Sequence, residues 1–225
     1  KLDGRGDWKA WNGNLTANLG AAPLARVALT GRDGTFTAKG KAQASRLMAA
    51  GPVVELLGSE TAIDLTARLN DRKAAIDGRL SSDAAQLGIS GGIDLGTSRY
   101  EGLKLAANIL RPSAIAPAVR ANGLRATATL DGAFALPTVD YQANANSLAV
   151  NDIIVEGIVL AGKARVDADQ IVIPVAGRAA RIRGLDTVAG GTLVQVRLDG
   201  DLAYSNGRIL SDNLRLRSPR IDAKA

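Results

Sequence analysis

Few residues of this chain have the types and spacing that chemistry requires. Gly88-Ile89-Ser90-Gly91-Gly92 fits the pattern G-x-S-x-G. In hydrolases that pattern holds a nucleophilic serine on a strand-to-helix turn, within reach of a histidine base. This chain contains no histidine, and Ser90 lies inside a run of alternating apolar and polar residues. That context makes Ser90 a strand residue on a wet face. Asp167 and Asp169, and likewise Asp199 and Asp201, put two carboxylates on one face of a strand, a beginning of a hard-cation site if more oxygens converged. Arg165 and Arg197 beside them make a solvated, charge-balanced face the simpler reading. Neither pair has surroundings that would raise a carboxyl pKa for acid catalysis. Arg5-Gly6-Asp7 spells an adhesion tripeptide and Asn14-Leu15-Thr16 a glycosylation acceptor. Both are short enough to arise by chance.

The composition removes further classes of chemistry. Without cysteine there is no disulfide, no thiol nucleophile and no thiolate metal ligand. Without histidine the usual neutral-pH proton shuttle and commonest metal ligand are missing. The sequence therefore predicts no catalytic residue, no metal site and no cofactor. The net charge of +6 arises from 28 basic and 22 acidic residues that are interspersed along the chain. Interspersed charge fits a solvated surface better than a nucleic-acid footprint. No apolar run approaches the roughly 20 residues of a membrane span. The chain opens on Lys1 without an initiator Met and stops at Ala225 just after a strand-like segment. It is expected to be a piece of a longer protein.

What the sequence does specify is a set of strands. Val194, Val196, Leu198, Gly200 and Leu202 alternate with Gln195, Arg197, Asp199 and Asp201. A period of two marks a strand with one dry and one wet face. Ser205-Asn206-Gly207 is a turn cluster, and Leu210, Leu214 and Leu216 follow on the same parity. Shared parity requires a loop of odd length. A three-residue loop ending in a left-handed Gly207 meets that requirement. It sets Leu202 opposite Leu210, Leu198 opposite Leu214 and Val196 opposite Leu216, with room for a bulge at Ser211-Asp212-Asn213.

The same pattern recurs upstream. Two short strands are expected in 2–19, with a turn near Asn12-Gly13. Leu29 and Ala38 face each other if Asp33-Gly34 forms a two-residue type I′ turn. Ile63 to Leu69 and Ala74 to Leu80 have opposite parity and need a two-residue turn, for which Asn70-Asp71 is favoured over Asp71-Arg72. Further strands are expected at 87–95, 103–109, 124–134, 139–145, 153–168 and 171–182. Short helical or irregular breaks fall near 44–58, 112–121 and 184–191. The tripeptide Leu/Ile-Asp-Gly recurs at Leu2, Ile76, Leu130 and Leu198, each time placing an apolar residue and Gly on one face. Hairpin turns at nearly every junction make one continuous, repetitive antiparallel meander of the whole chain. Over half its residues are expected in strands.

Ile63, Leu65, Leu69, Ile76, Leu80, Leu124, Leu130, Val194, Val196, Leu198, Leu202, Leu214 and Leu216 fall on one side of successive strands. A sheet must cover such a face. Two solutions are open: a closed sandwich of two sheets, or one sheet curled into a trough around acyl chains. The composition, with 40 Ala, 25 Gly and 3% aromatic residues, suits a thin ordinary core or a face left partly unfilled.

The chain resembles the TamB family of the translocation and assembly module, in its repetitive periplasmic part as found in alphaproteobacteria. The residues that carry the resemblance are Leu2-Asp3-Gly4-x-Gly6-Asp7-Trp8, Leu80-Ser81-Ser82-Asp83 and Arg165-Val166-Asp167-Ala168-Asp169. Val196 to Leu202 and Gly207 to Leu214 extend it at the C-terminal side. The resemblance implies an all-β fold, a long curled antiparallel sheet forming a groove with an apolar concave face and interrupted by short helices. It implies a periplasmic location, an inner-membrane anchor and an outer-membrane barrel partner, both engaged through other parts of the protein. It also implies outer-membrane biogenesis as the role. The groove residues above would hold phospholipid acyl chains, assist outer-membrane protein and autotransporter assembly, or do both. Two other classes stay open: a secreted structural or adhesive β-repeat, and a carbohydrate-active β-protein with paired carboxylates in an aromatic cleft.

Overall fold

The computed structural model describes residues 1–7, 9–48, 51–166, 171–185, 191–205, 208–211 and 213–224. Strands make up 72% of the protein, against the ~20–25% typical of soluble domains, so the fold is all-β. Every pairing between its strands described below is antiparallel. The chain divides into two compact units, Lys1–Ala116 and Pro117–Ala225.

Among the described residues the first unit has eight strands in chain order: β1 (Leu2–Gly6), β2 (Ala10–Leu19), β3 (Ala22–Arg32), β4 (Thr35–Ala42), β5 (Thr61–Asn70), β6 (Lys73–Ser81), β7 (Ala85–Asp94) and β8 (Arg99–Ile109). Each pairs with the next, so the unit is one meander sheet. At the β3–β4 turn, Asp33 and Gly34 have φ of 46° and 76°, as a type I′ turn demands, and Leu29 faces Ala38.

Two turns of the first unit differ from the sequence expectation. The first comes at Asp7, whose Oδ1 accepts the backbone N–H groups of Lys9 and Ala10 at 2.8 and 2.9 Å. Those bonds hold the Asp7 carboxyl below its usual pKa. Asn12-Gly13 instead stays inside β2, where Gly13 lies beneath the Trp11 ring; a Cβ there would sit 2.5 Å from it. The β5–β6 loop is Asp71-Arg72, with Asn70 opposite Lys73. The Asn70-Asp71 loop would have set Arg72 opposite Leu69 on the apolar face. The observed loop removes Arg72 from the ladder and puts Ala74 there.

The first break holds a 3-10 turn, Ala44–Leu47, and a short helix, α1 (Pro52–Leu57), closed by Gly58 at φ 64°. Thr61 Oγ1 donates to the Leu57 carbonyl at 2.8 Å and Ser82 Oγ to the Leu56 carbonyl at 2.6 Å. These two bonds satisfy carbonyls that a helix end leaves without partners. A second 3-10 turn, Pro112–Ala114, marks the next break. Most of the third, 186–190, lies outside the described residues.

The second unit contains β9 (Val119–Asn122), β10 (Arg125–Ala133), β11 (Thr138–Val150), β12 (Ile153–Val166), β13 (Ile171–Arg183), β14 (Thr192–Ser205), β15 (Arg208–Leu210), β16 (Arg215–Arg217) and β17 (Asp222–Lys224). β11 opposes β10 with its first half and β9 with its last residues. β11 to β14 then pair in chain order. β14 carries both β15 and β16 on its far edge, and β17 pairs with β16.

The register after β14 corrects the expected one. Ser205 opposes Arg208, so the loop is confined to residues 206 and 207. Both, including the φ expected for Gly207, lie outside the described residues. Ala203, not Leu202, opposes Leu210, which is 63% exposed. Leu198 opposes Leu216 rather than Leu214, and β16 ends at Arg217, opposite Arg197, so Val196 has no partner across β16. Between β15 and β16, Ser211 Oγ donates to the Asp201 carbonyl at 2.7 Å. Asn213 Oδ1 accepts the Asp201 N–H at 2.7 Å. Side chains there satisfy the β14 backbone while the partner chain slips by one residue, which restores Leu214 and Leu216 to the parity of Leu198.

Glycines let the first sheet bend toward its apolar side. A Cβ on Gly40 would stand 2.7 Å from Val27 Cα, and one on Gly78 would stand 2.8 Å from Leu65 Cα. The neighbouring backbone occupies the space a side chain would need. Gly40→Ala should therefore lower stability by roughly 1–3 kcal/mol, read as a fall in Tm. Gly88→Ala, on the other face with its nearest atom at 3.8 Å, should leave Tm within a degree or two of the starting protein, a shift of about 0.5 kcal/mol or less. Equal effects would show that the close approach is not what constrains Gly40.

Candidate functional site

The pairing turns alternation along strands into rows across them. From β1 to β8, Leu2, Leu15, Val27, Gly40, Ile63, Leu80, Leu87 and Ala107 stand opposite one another in turn. A second row is Gly4, Gly13, Leu29, Ala38, Leu65, Gly78, Ile89 and Leu105. A third contains Trp11, Gly31, Phe36, Ala67 and Ile76. Each step between strands is about 4.8 Å, so seven steps carry such a row ~34 Å along the sheet. The opposite face is polar: Thr30 and Thr37 hydroxyls meet at 2.6 Å, and Lys39 and Lys41 pair with Asp64 and Glu60 at 3.2 and 2.6 Å.

The second unit repeats the arrangement with Ala126, Ala143, Leu160, Gly177, Leu198, Leu216 and Ala223 in one row. Tyr141 lies beside Gly162 and donates its hydroxyl to the Pro174 carbonyl at 2.7 Å. Partial burial raises the pKa of that phenol. The bond satisfies a hydroxyl on an otherwise apolar side. Three of the four copies of the Leu/Ile-Asp-Gly repeat acquire a reason here; at the fourth, a Cβ on Gly132 would meet nothing nearer than 3.7 Å. Gly4 lies under the Trp11 ring, and Gly78 and Gly200 lie against the backbones of Leu65 and Leu214. The intervening Asp3, Asp77 and Asp199 are exposed on the other side.

These faces are apolar but not enclosed. Among the described residues no large side chain is fully buried. In the first unit the larger apolar residues below one-tenth exposure are Val27 and Leu103, at 7% and 9%. Ile63, Leu65, Ile76 and Leu80 are half-buried, and Phe36 and Leu69 remain 47% and 38% exposed. A second sheet packed to the density of a protein interior would cover them. Within each unit there is one sheet layer, and the sandwich weighed from sequence does not form there.

Of the apolar residues expected to share a face, those within paired strands do so within their units, except Val194; Leu124 and Leu214 lie just outside the paired segments. Leu193 is 4% exposed and Val194 is 44% exposed. The cause is a seam across four strands. Apolar-face residues step by three instead of two at Ala145 and Leu148, Val155 and Ile158, Ala179 and Ile182, and Leu193 and Val196. The registers on both sides of the seam agree, while Asn146, Gly157, Ala180 and Gln195 drop out of the pairing. Gly157 and Gln195 have φ of 62° and 51°. A left-handed residue in a strand reverses which side its successors face. Leu193, Ala179 and Val196 then form a buried cluster, packed against by Val155, Ile182 and Leu216.

The residues that first suggested chemistry take structural places. Ser90 is exposed within β7, opposite Lys104 and Asp77. Asp7 of the Arg-Gly-Asp tripeptide caps the first turn, Asp201 anchors Asn213 and Ser211, and Asp167 and Asp169 lie outside the described residues. Among the described residues no three His, Cys, Asp or Glu side chains gather as a metal site would need.

The seam makes a sharp prediction. Leu193→Asp should destabilise the protein by about 3 kcal/mol or more, because it buries an unpaired charge. Val194→Asp should change stability by less than about 1 kcal/mol. Urea unfolding of both variants measures this, and the reverse ranking would restore the simple alternation. Compared with protein-family models, curated proteins and solved structures, the chain matches none of them.

Proposed function

We propose that the chain is a periplasmic segment of a TamB-like protein acting in outer-membrane biogenesis, and that its apolar face carries phospholipid acyl chains. The observation that supports this is the uninterrupted apolar rows of the first unit, left half-exposed across eight strands. A run of ~34 Å exceeds the acyl layer of one leaflet, half of a hydrocarbon core of about 30 Å. Each CH₂ removed from water contributes about 0.8 kcal/mol, so part of one chain suffices for binding. The same open face would also accept the apolar side of an outer-membrane strand during autotransporter assembly. The reading gives the chain no catalytic step. It places the inner-membrane anchor and the barrel contact elsewhere in the full-length protein. An adhesive β-repeat built as a solenoid would stack parallel coils, whereas these strands pair antiparallel.

Ile63 and Ala62 are neighbours on opposite faces of β5, and the same charge at each tests the reading. Ile63→Asp should reduce transfer of a fluorescent phospholipid from vesicles to the protein by about tenfold, because it puts an unpaired charge among the acyl contacts. Ala62→Asp, opposite Lys41, should transfer lipid at the starting level. Circular dichroism confirms that both variants are folded. Equal transfer by the two folded variants would count against an acyl-binding face.

A further inference from the structure

The outer face of the second unit carries a row of like charge. Arg178 of β13 stands directly opposite Arg197 of β14, and Arg197 opposite Arg217 of β16. Like charges in directly opposed positions repel and destabilise a sheet. Three other arginines on this face are matched: Glu156 takes Arg181 and Arg183, and Arg215 donates to Asp222. Arg178, Arg197 and Arg217 make no ion pair or hydrogen bond with any described side chain. Asp222 of β17 stands opposite Arg217 at one end of the row, with its carboxylate bonded to Arg215, so Arg178 and Arg197 are the two that have no acidic residue opposite them.

The three arginines line one open concavity of about 680 Å³. The seam supplies its floor, because Gly157 and Ala180 fall out of the ladder there and carry no bulk. Gln195 and Ser218 complete the wall. Ser218 Oγ accepts the backbone N–H of Ile221 at 3.1 Å, which leaves its own hydrogen free to donate.

We propose that this concavity binds a phosphoryl dianion, the head of a phosphomonoester. Adjacent strands set the arginines about 4.8 Å apart at the backbone, and a guanidinium fork matches phosphate oxygens in pairs. One dianion bridging Arg197 and either neighbour replaces repulsion with charge-assisted hydrogen bonds. The site lies on the face opposite the apolar one, so it does not depend on acyl binding.

The test titrates the 225-residue protein with two probes at one fixed low ionic strength. One is soluble pyrophosphate; the other is phosphatidylcholine vesicles containing phosphatidic acid. Binding of at least one probe is expected, with Arg197→Gln weakening it by about tenfold or more. Arg26→Gln, an exposed charge of the first unit, should stay within about twofold of the starting affinity. Without ligand, Arg197→Gln should keep or raise Tm, since it relieves the row. Should it lower Tm, Arg178→Gln supplies the same binding comparison from the end of the row. Comparable binding of both probes assigns a soluble phosphoester, and binding of vesicles alone assigns a lipid headgroup. Failure of both probes, or equal losses in the Arg197 and Arg26 variants, overturns the proposal.

Discussion

An antiparallel strand sends alternate side chains to opposite faces, so a one-residue error at any turn exposes every apolar residue beyond it. The whole architecture depends on that parity surviving each hairpin. Asp33-Gly34 preserves it with two left-handed residues, and Asp71-Arg72 preserves it while keeping a charge off the apolar side. Ser211 and Asn213 preserve it by a slip of one, with their side chains bonded to Asp201 in place of a ladder. The result is a set of rows that cross each unit at right angles to its strands.

Much of this was legible from the order of residues. Alternation located most strands, and Gly51-Pro52 and Pro112 located two breaks, although β9 begins inside the break expected over 112–121. What escaped reading was mostly decided between strands. Leu193-Val194 offers two apolar neighbours of opposite parity, and alternation alone favoured the wrong one. Ile153-Ile154-Val155 and Ile158-Val159-Leu160 hide the same ambiguity in β12. A mid-strand Gly157 was the available signal for a reversal there; Gln195 gave none. The register of β16 was missed for a related reason. Its slip depends on Asn213 and Ser211 finding the Asp201 backbone, a contact between segments that no local pattern encodes.

The seam joins the two faces of the second unit in one physical account. Reversing parity in four adjacent strands at once keeps their registers in step, so the cost of lost pairing is confined to a single line. On the inner side it gathers Leu193, Ala179 and Val196 into a buried cluster. On the outer side it leaves small residues beside three opposed arginines. In the first unit the corresponding economy of bulk serves curvature. Gly40 and Gly78 admit the neighbouring backbone where a side chain would obstruct it. The abundance of Ala and Gly that weakens strand propensity is thus what allows the sheet to bend and its apolar rows to stay unfilled.

An apolar face so large and so incompletely buried should not remain bare when lipid is present. Native mass spectrometry of the protein, purified from cells without added lipid or detergent, tests this most directly. The account predicts protein carrying adducts of phospholipid mass, which are lost when the spray conditions are made harsh enough to release apolar ligands. Folded protein that is free of lipid as purified, and that still takes up none after incubation with phospholipid vesicles, would contradict it.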